Sequence, residues 1–315
     1  MRRGRPRTLV IFTAQDRELS TNVDHLTRNL LEPLQADLAI CGVTGRDSEA
    51  VELAHNWSFG EPDDWEQAVR DLGVSDEELQ KLQSVGPEFF AGIGSQMGSA
   101  GIVFYWRHIL AKTILPLLDT LDYDWFVVTR SDMRWVVPFP PLTNFNPDHV
   151  YYLDGQHYGG LSDRFVMFNR RHAGQMFGLY SPLFEQPSET IAALLEYTES
   201  RGRRFRKFNA EYYQRFELDR EGLLPRVRFL PYIGFAVRSA TGSTRWATGE
   251  WDSHQKCFVK YPSERRAARI FSHWIREVGD WGSFPDGIPP WKLQRARLQY
   301  VGKRLRRWRR LRFKV

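Results

Sequence analysis

The residues with most chemical content lie at 123–135, in the stretch YDWFVVTRSDMRW, where a short apolar run ends at Arg130-Ser131-Asp132. Phe126, Val127 and Val128 have the aromatic and β-branched character of a buried strand, and a buried strand that ends in charge delivers that charge to a cleft. In an open α/β sheet, ligands sit outside the carboxyl ends of the strands, so an aspartate there is placed to hold a hard divalent cation against a diphosphate. Asp132 is therefore the candidate metal ligand, for Mn2+ or Mg2+. Arg130 is expected either to pair with it or to touch phosphate, since a planar guanidinium fork suits both. A solvated Arg–Asp pair is the bland reading of the same triplet, contributing about 0–1 kcal/mol.

A second acid repeats the pattern about thirty residues on. Residues 151–168, YYLDGQHYGGLSDRFVMF, read as a strand, a glycine turn, and then Ser162-Asp163-Arg164 entering a further strand. A hydroxyl that attacks an activated carbon has to lose its proton, and in an inverting displacement a carboxylate takes it. Asp163 is the candidate base, because Gly159 and Gly160 ahead of it allow a tight turn and a close approach of the acceptor. A turn cap is the competing reading of Asp163. Glu211, on a helix expected over 209–218, is the alternative base, and a retaining enzyme would need neither.

The elements that must position these groups follow from hydrophobic period. Residues 8–13 (TLVIFT) form a strand candidate running into the turn Ala14-Gln15-Asp16-Arg17; Val23, Leu26, Leu30 and Leu34 then recur at helical spacing before a strand at 36–43. This β-α-β opening predicts parallel strands. Helices are expected at 76–83, 102–118, 171–180 and 190–200, with late strands at 227–232 and 233–237. The glycine-rich run at 92–101 reads as a mobile loop, and 246–258 is polar, tryptophan-rich and without a period.

Composition sets the class. The chain has 315 residues, 42% hydrophobic and 26% charged, with no run of about 18 apolar residues and an N-terminus that reaches charge too soon for a signal peptide, so a soluble cytoplasmic protein is expected. Cys41 and Cys257 are its only cysteines, which excludes a disulfide framework and a cysteine-built zinc site. The net charge of +6 sits at the ends: residues 292–315 carry eleven Lys or Arg and residues 1–7 carry four Arg, leaving −9 for residues 8–291. Nucleic-acid binding would spread positive charge over a folded face, so nucleic acid is not the expected partner. In the C-terminal segment, Leu298, Val301, Leu305 and Trp308 share one helical face flanked by arginines such as Arg309. Leu305, Trp308 and Arg309 are the expected contacts to anionic lipid, with about 1 kcal/mol from each basic residue near the surface; a disordered solubilising tail is the plain alternative.

Several of these segments, in this order, resemble a bacterial glycosyltransferase family of the GT-A superfamily found in capsular and surface-polysaccharide synthesis. The opening FTAQDRELSTNVDHLTRNLLEPLQADLAICGV is similar to that family's first strand, polar Gln-x-Arg turn, long helix and second strand. YDWFVVTRSDMRW resembles its strand ending in Arg-x-Asp, YGGLSDRFVMF its Gly-Gly-x-x-Asp-Arg-Phe segment, and FNAEYYQRFELDREGLLPRVRFLPYIGFAVR its acid-bearing helix followed by a strand and an arginine. The resemblance spans about residues 8–238. It implies an α/β fold with a mostly parallel, Rossmann-like GT-A sheet flanked by helices, a nucleotide site at the end of the first strand and a metal site at Arg-x-Asp. Thr13, Gln15, Arg17, Arg130 and Arg164 become the expected contacts to a UDP- or GDP-linked sugar, and the acceptor a polysaccharide or lipid-linked glycan. The first turn departs from the family's usual glycine, reading Thr13-Ala14-Gln15. Three segments are expected: a basic tail at 1–7, the transferase domain at 8–291 and a basic amphipathic tail at 292–315, which would hold the protein at the inner face of the cell membrane. The alternative is a non-catalytic relative that binds membrane or nucleic acid through its basic ends.

Overall fold

The computed structural model describes residues 7–94, 98–155, 157–201, 208–238 and 249–278. In chain order the elements are β1 (Thr8–Gln15), α1 (Leu19–Leu26), α2 (Glu32–Leu34), β2 (Ala36–Val43), β3 (His55–Ser58), α3 (Trp65–Asp71), α4 (Asp76–Ser84), α5 (Ala100–Ile114), β4 (Trp125–Thr129), β5 (Met133–Trp135), β6 (Val150–Leu153) and β7 (Phe165–Asn169). They continue with α6 (Ala173–Gly178), α7 (Pro182–Glu185), α8 (Pro187–Ser200), α9 (Ala210–Arg220), β8 (Val227–Leu230), β9 (Gly234–Arg238), β10 (Glu250–Asp252), β11 (Cys257–Val259) and α10 (Pro262–Val278).

Seven strands form the central sheet in the order β3-β2-β1-β4-β7-β6-β8. β1 pairs in parallel with β2 and with β4, as the β-α-β opening predicts, whereas β7 runs antiparallel to both its neighbours, β4 and β6. The result is a mostly parallel α/β sheet flanked by helices on both faces. Its strands alternate between two cores, as period-2 geometry requires. Leu9, Ile11, Phe126 and Val128 face the layer that holds α3 to α9, while Val10, Phe12, Trp125 and Val127 face the layer holding α1 and Phe271 of α10. Each inward-facing residue of β1 and β4 is at most 4% exposed, so these strands cannot slip without moving a whole face out of the core.

After β1 the chain moves to β2 and β3 on one side, then returns to place β4 on the other. The crevice outside the carboxyl ends of β1 and β4 is therefore the topological switch point, where ligands of open α/β sheets bind.

A second, antiparallel sheet of order β10-β11-β9-β5 closes over this end. It gives the segment 246–258, which has no period in the sequence, a short hairpin: β10 lies within it and β11 ends just beyond it. The late strands also part company, β8 joining the central sheet and β9 the second one. The helix expected over 102–118 ends at Ile114 in a 3-10 turn at Leu115–Leu117, where Pro116 lacks an amide donor. Around the glycine-rich run the flanks are packed: Ile93 is fully buried and the Gly101 amide donates to the Ala91 carbonyl at 2.9 Å. No described helix is long and apolar enough to cross a membrane.

Candidate functional site

The site grows from the turn that follows β4. The Ser131 hydroxyl shares its proton between the carbonyls of Gln15 and Arg17, at 2.8 and 2.9 Å, and so ties the ends of β4 and β1 together. Buried Asn22 of α1 donates to the Ser131 carbonyl at 3.3 Å, and its side-chain oxygen accepts from Arg134 at 2.9 Å. Arg134 also donates to the carbonyls of Thr21 and Gln255. Every polar bond of this buried guanidinium goes to the support of the turn.

At the end of β1, Ala14 adopts φ +80°, a left-handed backbone that costs a residue with a Cβ about 1–2 kcal/mol. It lies in the turn Thr13-Ala14-Gln15, which contains no glycine. Thr13 and Gln15 sit half-buried at this strand end. Gln15 donates to the Glu61 carboxylate at 2.8 Å, so that side chain is engaged by the loop between β3 and α3.

Arg130 and Asp132 meet as a bidentate pair, Nε to Oδ1 at 2.8 Å and an Nη2 to Oδ2 at 2.6 Å. Burial alone would push the Asp132 carboxyl up, but Arg130, with Lys260 and Arg238, outweighs it and holds the group at about 2. Two of those cations come from the second sheet. The Val237 amide donates to the Asp132 carbonyl at 2.8 Å, and the Lys260 amide to the Ala236 carbonyl at 3.0 Å, which fixes Arg238 and Lys260 beside the turn. Lys260 is 6% exposed, and its ammonium lies 5.0 Å from the centre of the Tyr261 ring. Burial, reinforced by Arg130, Arg238 and Arg164, lowers it to about 7 despite the pull of Asp132. Arg17, exposed at the rim, lies in the field of Arg238, Asp132, Glu61 and Arg130. Among the described residues none of Arg17, Arg238 and Lys260 makes an ion pair, and the Arg238 Nε is buried without a hydrogen-bond partner.

Because β7 runs antiparallel to β4, Phe165 stands opposite Thr129, and Arg164 falls beside the Arg130 turn. Arg164, expected at the donor, is 6% exposed and committed elsewhere: it pairs with Glu264, reaches the Tyr232 hydroxyl at 3.0 Å and lies 4.7 Å over the Tyr261 ring. It anchors α10 beneath the cluster, adding charge without a free donor face.

Asp163 and Glu211 are brought together by Gly160. A Cβ on Gly160 would lie 1.7 Å from the Glu211 carbonyl oxygen, so the missing side chain admits the N-terminus of α9. The Leu161 amide donates to that oxygen at 2.9 Å, while Asn209 caps the helix by accepting from the Tyr212 amide at 2.9 Å. The close approach anticipated at the two glycines is thus made by α9. On the other side, Arg107 donates to the Asp163 carbonyl at 2.9 Å. Burial and the charge of Asp163 push Glu211 up to about 8. The two candidate bases thus act on one another electrostatically, and the raised value of Glu211 favours its protonated form at neutral pH.

The donor set does not fit a divalent cation at Asp132. Both carboxylate oxygens receive the Arg130 fork, the nearest other charged side chains are cations, and among the described residues no group of three acids, histidines or cysteines could hold a metal. Leu305, Trp308 and Arg309 lie outside the described residues. Lys260 is the residue that the sequence pattern did not single out, and Arg238 enters it only as the arginine closing the last resembling segment. Arg238 ends a recognisable strand, FAVR, but Lys260 follows a three-residue strand with no period of its own.

No family model matches this chain, and neither does any curated protein. Among solved structures, the chain is similar to mouse xyloside xylosyltransferase 1 in its apo form, at 13% identity and a TM-score of 0.34, over 72% of this chain and 85% of that one.

Proposed function

We propose that this protein is a glycosyltransferase that moves a sugar from a nucleotide-diphosphate donor to a polysaccharide or lipid-linked glycan in surface-polysaccharide assembly. One observation carries the reading: at the switch point of a GT-A-like sheet, a cluster of cations around Asp132 stands beside the Asp163–Glu211 carboxylate pair. A departing diphosphate needs the first and an attacking hydroxyl needs the second. The order of the segments resembling capsular transferases supports it further.

In this reading Thr13, Gln15 and Arg17 lie along the nucleotide, UDP- or GDP-linked, and Arg130 faces the phosphates. The acceptor oxygen forms its bond to the anomeric carbon as the bond from that carbon to the diphosphate oxygen breaks, the electron pair leaving with the phosphate. The hydroxyl proton passes to Asp163, while protonated Glu211 orients a hydroxyl of acceptor or donor. The basic segment 292–315 would hold the enzyme against anionic lipid at the inner face of the membrane, close to a lipid-linked acceptor.

A panel of UDP-, GDP-, CMP- and dTDP-sugars tests the donor. Stabilisation by one nucleotide class, with turnover lost in Asp163→Asn but binding retained, is the expected result. A ligand at 100 times its dissociation constant adds about 2.7 kcal/mol of stability, readily seen as a melting shift. A panel that stabilises nothing would overturn the proposal.

A further inference from the structure

Resting on the glycosyl-transfer reading, the geometry points to a donor site in which protein cations, Arg17, Arg130, Arg238 and Lys260, take the charge of the leaving diphosphate in place of a divalent metal ion. The first ground is a count of charges. Arg130 is set against Asp132, and Arg164 against Glu264. Arg17, Arg238 and Lys260 remain, each without an ion pair among the described residues. Lys260, held at about 7, gains its full charge when an anion arrives, and these groups without ion pairs suit a nucleoside diphosphate, which carries about three negative charges once its terminal phosphate is a free monoester.

The second ground is the cost of leaving those charges as they are. Lys260 is 6% exposed and the Arg238 Nε is buried without a partner. Buried cations are normally paired, and an unpaired one is tolerated where a ligand completes it. The third ground is what a dication would meet. To reach Asp132 it would displace a bidentate guanidinium and enter the field of Lys260 and Arg238, which already act on that carboxylate. An anion meets the opposite: Arg17, Arg130, Arg238 and Lys260 attract it, against the acids Asp132, Asp163 and Glu61. The second sheet supplies Arg238 and Lys260 to the crevice through backbone bonds of 2.8 Å (Val237 to Asp132) and 3.0 Å (Lys260 to Ala236), so these two cations are fixed in place before any ligand arrives. Preorganised charge of this kind stabilises a developing anion without reorganisation during the reaction.

Inorganic pyrophosphate, UDP and GDP are the probes, titrated by calorimetry into chelator-treated full-length protein with and without added Mn2+. The expected result is metal-free binding of pyrophosphate and of one nucleotide, weakened about tenfold or more in Lys260→Met and in Arg238→Met, as loss of a charge-assisted hydrogen bond would give. Lys260→Arg, which keeps the charge, should restore it. Asp132→Asn frees Arg130 from its partner and should bind metal-free pyrophosphate as tightly as the wild type or tighter. Binding that appears only with Mn2+ and vanishes in Asp132→Asn would overturn the inference and leave glycosyl transfer standing. Metal-free pyrophosphate binding with no turnover of any sugar nucleotide would do the reverse: the anion site would hold and the transfer reading would fall.

Discussion

Gly160→Ala is the most discriminating single change. A Cβ at this position would sit 1.7 Å from the Glu211 carbonyl oxygen, 2.1 Å from its carbon and 2.4 Å from the Tyr212 nitrogen. All three are backbone atoms of α9, so no side chain can swing aside. Ordinary contact begins at 3.4 Å, which requires a retreat of about 1.7 Å by the helix N-terminus. That retreat breaks the hydrogen bond from the Leu161 amide, worth about 1 kcal/mol, and overpacking adds about 1–3 kcal/mol, so unfolding in urea should show a loss of about 2–4 kcal/mol. The catalytic effect is separable. A displacement of about 1 Å at a reacting group costs about a hundredfold in rate, so turnover of the donor identified in the nucleotide panel should fall at least that far, with donor affinity little changed. As Glu211 withdraws from Asp163, one of the causes that raise it weakens, and its titration, followed by NMR of the side-chain carboxyl, should move down from about 8. A Gly160→Ala protein with wild-type stability and turnover would show that α9 is not held where the pairing of Asp163 and Glu211 requires it.

Other consequences are open to direct measurement. Glu211, raised above the ordinary carboxylate range, favours folding fully below the unfolded-state value of 4.5, and that contribution fades as pH climbs and is gone above about 8. Wild type should therefore lose stability relative to Glu211→Gln between those limits, and parallel pH–stability curves would refute the burial of a protonated acid. Ala14→Gly relieves a left-handed alanine at a cost in chain entropy, so denaturant melts should show a net gain of about 0.5–1 kcal/mol, and a loss would mean that Ala14 carries no strain. Direct displacement with Asp163 as base predicts a product of inverted anomeric configuration by NMR and a fall of about 10²–10⁴ in turnover for Asp163→Asn; retention would remove Asp163 from that role.

The parts of the site legible in the sequence are those written into a single element. Phe126, Val127 and Val128 announce a buried strand and Arg130-Ser131-Asp132 its charged end, and both hold in the structure. The β-α-β opening specifies the parallel pairing of β1 with β2 for the same local reason. What period and motif did not carry is pairing at long range. The direction of β7, which sets Arg164 beside Arg130, depends on β4 and β6 accepting it as an antiparallel neighbour. The close approach at Gly160 is a property of where α9 docks, so the influence of Asp163 on Glu211 could not be read from either segment alone. Lys260 was least visible of all. It follows the three-residue strand Cys257–Val259, too short to show alternation, and its position comes from β11 pairing with β9 and β9 with β5.

That last residue also explains why the second sheet exists where it does. A lysine held near 7 at 6% exposure weakens the fold at any pH at which it must be charged, so the sequence bears a cost at Lys260 that Met or Leu would avoid. Its chain neighbour Val259 and the neighbour of Arg238, Val237, are fully buried on the other face of this small sheet, so the ammonium is turned toward Arg130, Arg238 and Arg164, and an uncharged replacement would relieve that repulsion. Stability alone thus favours losing the ammonium, and its presence is accounted for by a ligand that returns the cost. An anion does so and a cation does not. Lys260→Met should accordingly raise the melting temperature of the free protein while weakening pyrophosphate, two effects of opposite sign from one side chain. If the variant instead melts lower and binds pyrophosphate unchanged, Lys260 is a packing residue and the charge count at the crevice has to be made without it.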